Sequence, residues 1–249
     1  MTRYSETETI RNAYNAAYQE ELDRLCTAEG IKEFSLVCKI IEKYLKKSEN
    51  VIYDIGSGSG MYTKYFLNRG ESVGCIDISE NLINYFTSTI QNELKENLLF
   101  SKNCCASDLE WLPKYSADLI LLMGPMYHLT DIKIRRKVWQ NMNKMLKNGG
   151  YLVTLFLNSL EFNSKTAEVV TNTTSYRKME EYDISHVSFG GFSVPQFRCN
   201  PDYAAFEAKD WFDVIEIDQF SKIYEKNFSK SKKMNEINSD QFAVIYRKK

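Results

Sequence analysis

Val51-Ile52-Tyr53-Asp54-Ile55-Gly56-Ser57-Gly58-Ser59-Gly60 decides how this chain is read. Its first half is an apolar run that predicts a short buried strand. Its second half places three glycines at alternate positions, and Met61–Leu67 then carries apolar residues on one side of a helix. Strand, glycine-rich turn and helix opening together make a cradle for a ligand. Glycine lets the backbone approach with no Cβ in the way, and the first N–H groups of a helix are free to bind. The spacing excludes the dinucleotide pattern G-x-G-x-x-G, whose third glycine would fall at position 61, where Met61 stands.

The order Asp54-x-Gly56-x-Gly58-x-Gly60 resembles the first motif of class I S-adenosylmethionine (SAM) dependent methyltransferases. The resemblance implies an α/β, Rossmann-like fold: a seven-stranded, mostly parallel sheet with helices on both faces and an antiparallel strand near the C-terminus. It implies SAM as cofactor, S-adenosylhomocysteine as product, and Asp54, Gly56, Ser57, Gly58 and Gly60 as part of the cofactor site. A purely structural turn is the alternative for the loop taken alone.

Further along, Ser72–Ile78 predicts the second strand, and Asp77 lies at its C-terminal end, where open α/β sheets bind ligands. A carboxylate there can accept hydrogen bonds from both ribose hydroxyls, which resembles the second motif of the family; Ile78 is its neighbour. Asp77 could instead cap the helix expected at 80–92, although Ser79 already offers a cap. Beyond the third strand, at Leu98–Ser101, the order Ala106-Ser107-Asp108-Leu109 resembles the family position that meets adenine, with Asp108 at the amino group and backbone of Ser107 or Leu109 at the ring. A surface turn is the alternative.

The run Ala117–Met123 predicts a central parallel strand buried on both faces. It leads into Gly124-Pro125-Met126-Tyr127-His128-Leu129, which resembles a variant found in a subgroup of small bacterial methyltransferases. That subgroup also has a Tyr-rich N-terminal helix with a Glu-x-x-Arg-Leu element, matched by Glu21–Leu25. By this resemblance Met123 and Gly124 face the cofactor, and Tyr127 lines the acceptor pocket or stacks on the ligand. His128 is either a general base or a histidine bonded to the loop. Gly124 stands where enzymes acting on nucleobase or glutamine amines often have asparagine.

Helices are predicted over 8–28 and 32–47. The first is either a helix packed on the domain or a lid that brings Tyr14 or Tyr18 to the ligand. The chain is thus expected to be a single domain, 1–249, with a helical cap over 1–48 and an acceptor-pocket insertion over 157–210. Residues 212–220 and 241–246 predict the C-terminal strand pair, and five lysines between Lys222 and Lys233 form a basic tract.

Composition bounds the function. The chain has 249 residues, 43% of them apolar, and a net charge of −1, so nothing points overall to nucleic acid or an anionic membrane. Six cysteines show neither a C-x-x-C pair nor a zinc spacing, and no metal is expected. With no apolar signal core and no run of about 18 apolar residues, the expected compartment is the cytoplasm. The expected activity is methyl transfer to a small-molecule O, N, S or C nucleophile. An RNA or protein methyltransferase and a non-catalytic SAM-binding regulator remain as alternatives, and oligomeric state is left open.

Overall fold

A computed structural model describes residues 5–46, 49–159, 182–219 and 241–249. Helices α1 (Glu6–Ala16), α2 (Tyr18–Leu25) and α3 (Ala28–Glu42) lead into β1 (Val51–Ile55) and α4 (Met61–Leu67). Then come β2 (Ser72–Asp77), α5 (Glu80–Thr89), β3 (Leu98–Asn103), β4 (Ala117–Leu122), α6 (Ile132–Met145) and β5 (Leu146–Asn158). A hairpin, β6 (Tyr182–Phe189) and β7 (Phe192–Cys199), precedes α7 (Pro201–Ala208), β8 (Phe212–Gln219) and β9 (Gln241–Lys248).

Seven strands run β3-β2-β1-β4-β5-β9-β8, with β9 antiparallel to both its neighbours and the other six all running in one direction. This is the expected α/β sheet. The β6–β7 hairpin adds two strands to give nine among the described residues, and β7 joins the tip of β5 through Leu157 and Asn158.

β1 and β4 sit at the centre, and side chains alternate between the two faces. Ile52, Leu119 and Leu121 pack with α3, α4 and α5 through Val37, Ile41, Phe66 and Phe86. Tyr53, Ile55, Ile120 and Leu122 pack with α6 and α7 through Val138, Trp139, Met142 and Ala204.

The helix expected over 8–28 is two helices. The break falls at Ala17 (φ −103°), a residue of high helix propensity that is buried where the chain turns. The hairpin was not expected from the sequence, although Gly190-Gly191 between two eight-residue strands is a two-residue turn signal, and both glycines have positive φ. The basic tract 222–233 lies outside the described residues, as does much of the expected insertion.

Arg135, on α6, is fully buried. It donates to Glu207 on α7 at 2.5 and 2.6 Å, to the carbonyl of Leu129 at 2.9 Å and to that of Met126, and it stacks on Phe197 of β7. One guanidinium thus joins α6, α7, β7 and the turn after β4. Arg135→Ala strands the Glu207 carboxylate and two carbonyls, and is expected to lower unfolding free energy by about 3–5 kcal/mol, measured by urea denaturation.

Candidate active site

The C-terminal ends of β1, β2, β4 and β5 open into a cavity of about 360 Å³. Its floor includes Gly56, Ser57, Gly58, Asp77, Ile78, Met123 and Gly124, and Tyr14, Tyr127 and His128 also line it. These expected residues are therefore brought together.

The glycine loop is held from beneath. Gly56 and Ser57 donate their N–H groups to the carbonyl of Ile76 at 2.8 and 2.9 Å. Asp77 accepts from Gly58 N at 2.8 Å through one oxygen and from Ser79 N at 2.8 Å through the other. Asp77 therefore lines the cavity and also holds the backbone of Ser79, and it is Ser79, accepting from Leu82 N, that caps α5. Burial raises its carboxyl to about 6, with the two backbone N–H groups opposing that shift.

The three glycines differ. A Cβ at Gly56 would strike Pro125 Cδ at 2.6 Å, and one at Gly60 would strike Phe86 Cδ2 at 2.2 Å. At Gly58 (φ +56°) a Cβ would meet nothing within 4 Å. Gly58 alone of the three opens onto free space.

Six expected residues do not line the cavity: Asp54, Gly60, Asp108, Ser107, Leu109 and Tyr18. Asp54 is wholly buried below the loop, donates nothing to the cavity wall, and accepts from Thr63 Oγ1 at 2.7 Å; burial raises its carboxyl to about 7. Gly60 is the left-handed cap of α4, packed on Phe86. Asp108 points outward to Lys137, 3.2 Å away. Ser107 bonds to Asp108, and Leu109 is buried in the core beneath. Asn141 on α6 donates to the carbonyls of Ala106 and Ser107 at 3.2 and 3.0 Å, which turns this segment so that Cys104, Cys105 and Ala106 line the cavity instead. Tyr18 likewise lies off the wall, displaced by the break at Ala17.

His128 is not a histidine with a free nitrogen. Its Nε2 meets the Tyr14 hydroxyl at 2.7 Å and its Nδ1 meets the Pro195 carbonyl at 3.2 Å. Burial pushes it down to about 4, with the Pro195 bond and the charge of Glu21 opposing. Glu21 and Arg24, the charged residues of the Glu21–Leu25 element, also line the cavity, paired at 2.9 and 2.8 Å, and so do residues that no motif singled out: Glu33, and on the hairpin Val187, Phe189 and Val194.

Residues 53–154 match the sequence family described as Methyltransferase domain. Those residues carry a methyltransferase domain. It is 24% identical over 208 residues to a ribosomal RNA small subunit methyltransferase A from Mesomycoplasma hyopneumoniae, covering 82% of this chain and 75% of that one. Its fold is shared with the Burkholderia thailandensis 1,6-didemethyltoxoflavin-N1-methyltransferase, solved with 1,6-didemethyltoxoflavin and S-adenosylhomocysteine (TM-score 0.68, 13% identity, 100% of this chain and 92% of that one). A protein from Pyrococcus horikoshii OT3 is similar at TM-score 0.64 and 16% identity, covering 99% of this chain and 100% of that one. The cofactor of this methyltransferase domain is S-adenosylmethionine, and the residues present fit it. Gly58 leaves an open cradle at a helix start, and the buried Asp77 carboxylate faces the same space.

Gly58→Val is expected to abolish SAM binding by calorimetry while the variant still folds, because the added side chain fills the cavity; Gly60→Val is expected to lower the melting temperature instead. His128 also carries a pH dependence. Unfolded histidine titrates near 6.5 and this one near 4, so between those values the unfolded chain holds a proton that the folded chain lacks. The stability difference between wild type and His128→Gln is expected to shift by about 3 kcal/mol against wild type from pH 7 to pH 4. Asp54 and Asp77, raised by burial, titrate the opposite way but are common to both proteins. Urea denaturation at both pH values reads this.

Proposed function

We propose that this methyltransferase acts on a small molecule. What carries the reading is the wall beyond β4: Leu155, Leu157, Val187, Phe189 and Val194, apolar, with α1 packed against the hairpin through Ile10 and Ala13. A covered apolar chamber suits a compact, largely uncharged acceptor. RNA needs lysines or arginines to neutralise phosphate. Among the described residues the cavity's only lysine or arginine is Arg24, and Glu21 already engages it at both guanidinium ends. The small-molecule substrate of the Burkholderia enzyme supports the reading, whereas the ribosomal RNA relative favours the alternative.

The residues divide the work. SAM supplies an electrophilic methyl group when bound. Asp77 holds the ribose, Gly58 admits the cofactor, and Ile78, Ser57, Met123 and Gly124 complete its bed. Residues 1–48 act as the cap and the described part of 157–210 as the acceptor wall. Tyr127, whose ring centroid lies 4.7 Å from that of His128, borders the reacting end. Holding the acceptor in line with the methyl group can supply roughly 7–11 kcal/mol of barrier reduction. His128, with both nitrogens engaged, orients rather than deprotonates.

Incubation with methyl-labelled SAM, against a metabolite extract and separately against ribosomal RNA, is expected to label the small-molecule fraction; label confined to RNA would replace this reading with the alternative. Asp77→Ala is expected to weaken SAM binding roughly 10- to 100-fold, read by calorimetry.

A further inference from the structure

We propose that Tyr14 is a catalytic residue of fixed hydrogen-bond polarity: its hydroxyl oxygen receives an N–H or O–H of the methyl acceptor, and His128 is the positioning residue that sets this direction. The proposal rests on the reading of the chain as a small-molecule methyltransferase.

The direction follows from the far end of the chain of contacts. A carbonyl oxygen can only accept, so the 3.2 Å contact to Pro195 requires a hydrogen on His128 Nδ1. The imidazole is buried and neutral near pH 7, so it carries one hydrogen only, and Nε2 presents a bare lone pair. The 2.7 Å contact to Tyr14 must then use the Tyr14 hydroxyl hydrogen. That hydrogen is committed. What the Tyr14 oxygen can still offer is lone-pair density, which attracts a donor.

The placement of Tyr14 is equally constrained. Its ring packs on Phe189 with centroids 4.9 Å apart and edge-on to His128 at 5.4 Å. Helix α1 is pinned at one end, where Glu6 accepts from Thr130 N at 2.8 Å, and at the other, where Asn15 accepts from Ser79 Oγ at 2.8 Å. Tyr14 therefore stands between the acceptor wall and the turn after β4, and it lines the cavity.

The consequence is selection by what the nucleophilic atom carries. An amine or a hydroxyl can donate to Tyr14 and keep a lone pair, whose direction the bond fixes, for the methyl group. A thioether or a fully substituted nitrogen cannot, and leaves the Tyr14 oxygen unmatched. Burial holds the Tyr14 phenol well above its ordinary range and His128 below its own, so the pair orients the acceptor without taking its proton; as the bond from the methyl group to the acceptor forms, the S–CH₃ bond breaks to give neutral S-adenosylhomocysteine, and the positive charge passes to the methylated atom, which loses its proton to water.

Two measurements test this. The first is long-range nitrogen–proton NMR of the ¹⁵N-labelled protein with S-adenosylhomocysteine at pH 7; the chain has two histidines, which makes assignment direct. His128 is expected as the neutral Nδ1–H tautomer, with the Nε2 resonance shifting in Tyr14→Phe. An Nε2–H or doubly protonated ring would overturn the proposal. The second is methyl transfer from labelled SAM into the metabolite extract. Tyr14→Phe is expected to lose roughly 10- to 100-fold in turnover while its S-adenosylhomocysteine affinity and melting temperature stay near wild type. His128→Gln, which can still accept from Tyr14 and donate to Pro195, is expected to retain more turnover than His128→Leu. Full turnover in Tyr14→Phe, or a product methylated at an atom that bore no hydrogen, would overturn it. If the wild type labels no small molecule, the acceptor-class reading fails, and the tautomer measurement still decides the polarity.

Discussion

Two neighbouring strands that no solvent reaches constrain everything else. β4 is buried along its whole length and β1 along all but its first residue, with helices covering both faces. Strands packed this way admit an ionised side chain only where charged partners reach it, as Lys46 and Lys147 reach Asp118 near the start of β4. Polar chemistry is displaced to the strand ends, where the backbone leaves the sheet. Asp54 shows what an exception entails: its carboxyl, inside the sheet, is pushed up to about 7.

The loop after β1 is consequently built as a hanging structure. The Ile76 carbonyl and the Asp77 carboxylate, both from β2, receive three successive loop N–H groups. Asp77 thus braces the loop with the same carboxylate that lines the cavity. The turn after β4 is held in the same manner from the other side, by Arg135 gripping the Met126 and Leu129 carbonyls that flank His128. One wall rests on Asp77, which also lines the cavity, and the other on Arg135, which does not.

What was legible in the sequence, and what was not, follows from range. Buried parallel strands announce themselves as apolar runs, and the Gly56–Gly60 turn and the ends of β2 and β4 were placed by residues adjacent in sequence. The hairpin was not, because one of its strands is half-exposed: Tyr182 and Ile184 are apolar yet exposed, which blurs the alternation. Asp108 was misplaced because its orientation depends on Asn141 and Lys137, about thirty residues away, and nothing local signals them. The break at Ala17 escaped for the opposite reason, since the local signal there favours helix and packing overrides it. The Tyr14–His128 bond joins residues 114 apart and has no sequence signature at all.

The two pinned ends of α1 have a consequence for traffic. Glu6 ties the helix to Thr130, beyond β4, and Asn15 ties it to Ser79 and Asn81, beyond β2. The helix therefore spans the cavity as a strap fastened on both sides. A strap of this kind does not swing open about one hinge; lifting it means releasing both fastenings together. Passage past it belongs to the slower class of local opening events rather than to side-chain motion. The route past α2 and α3, where Arg24, Glu33 and Phe34 form the rim, needs neither fastening undone. Entry past α1 thus depends on where that helix is tied.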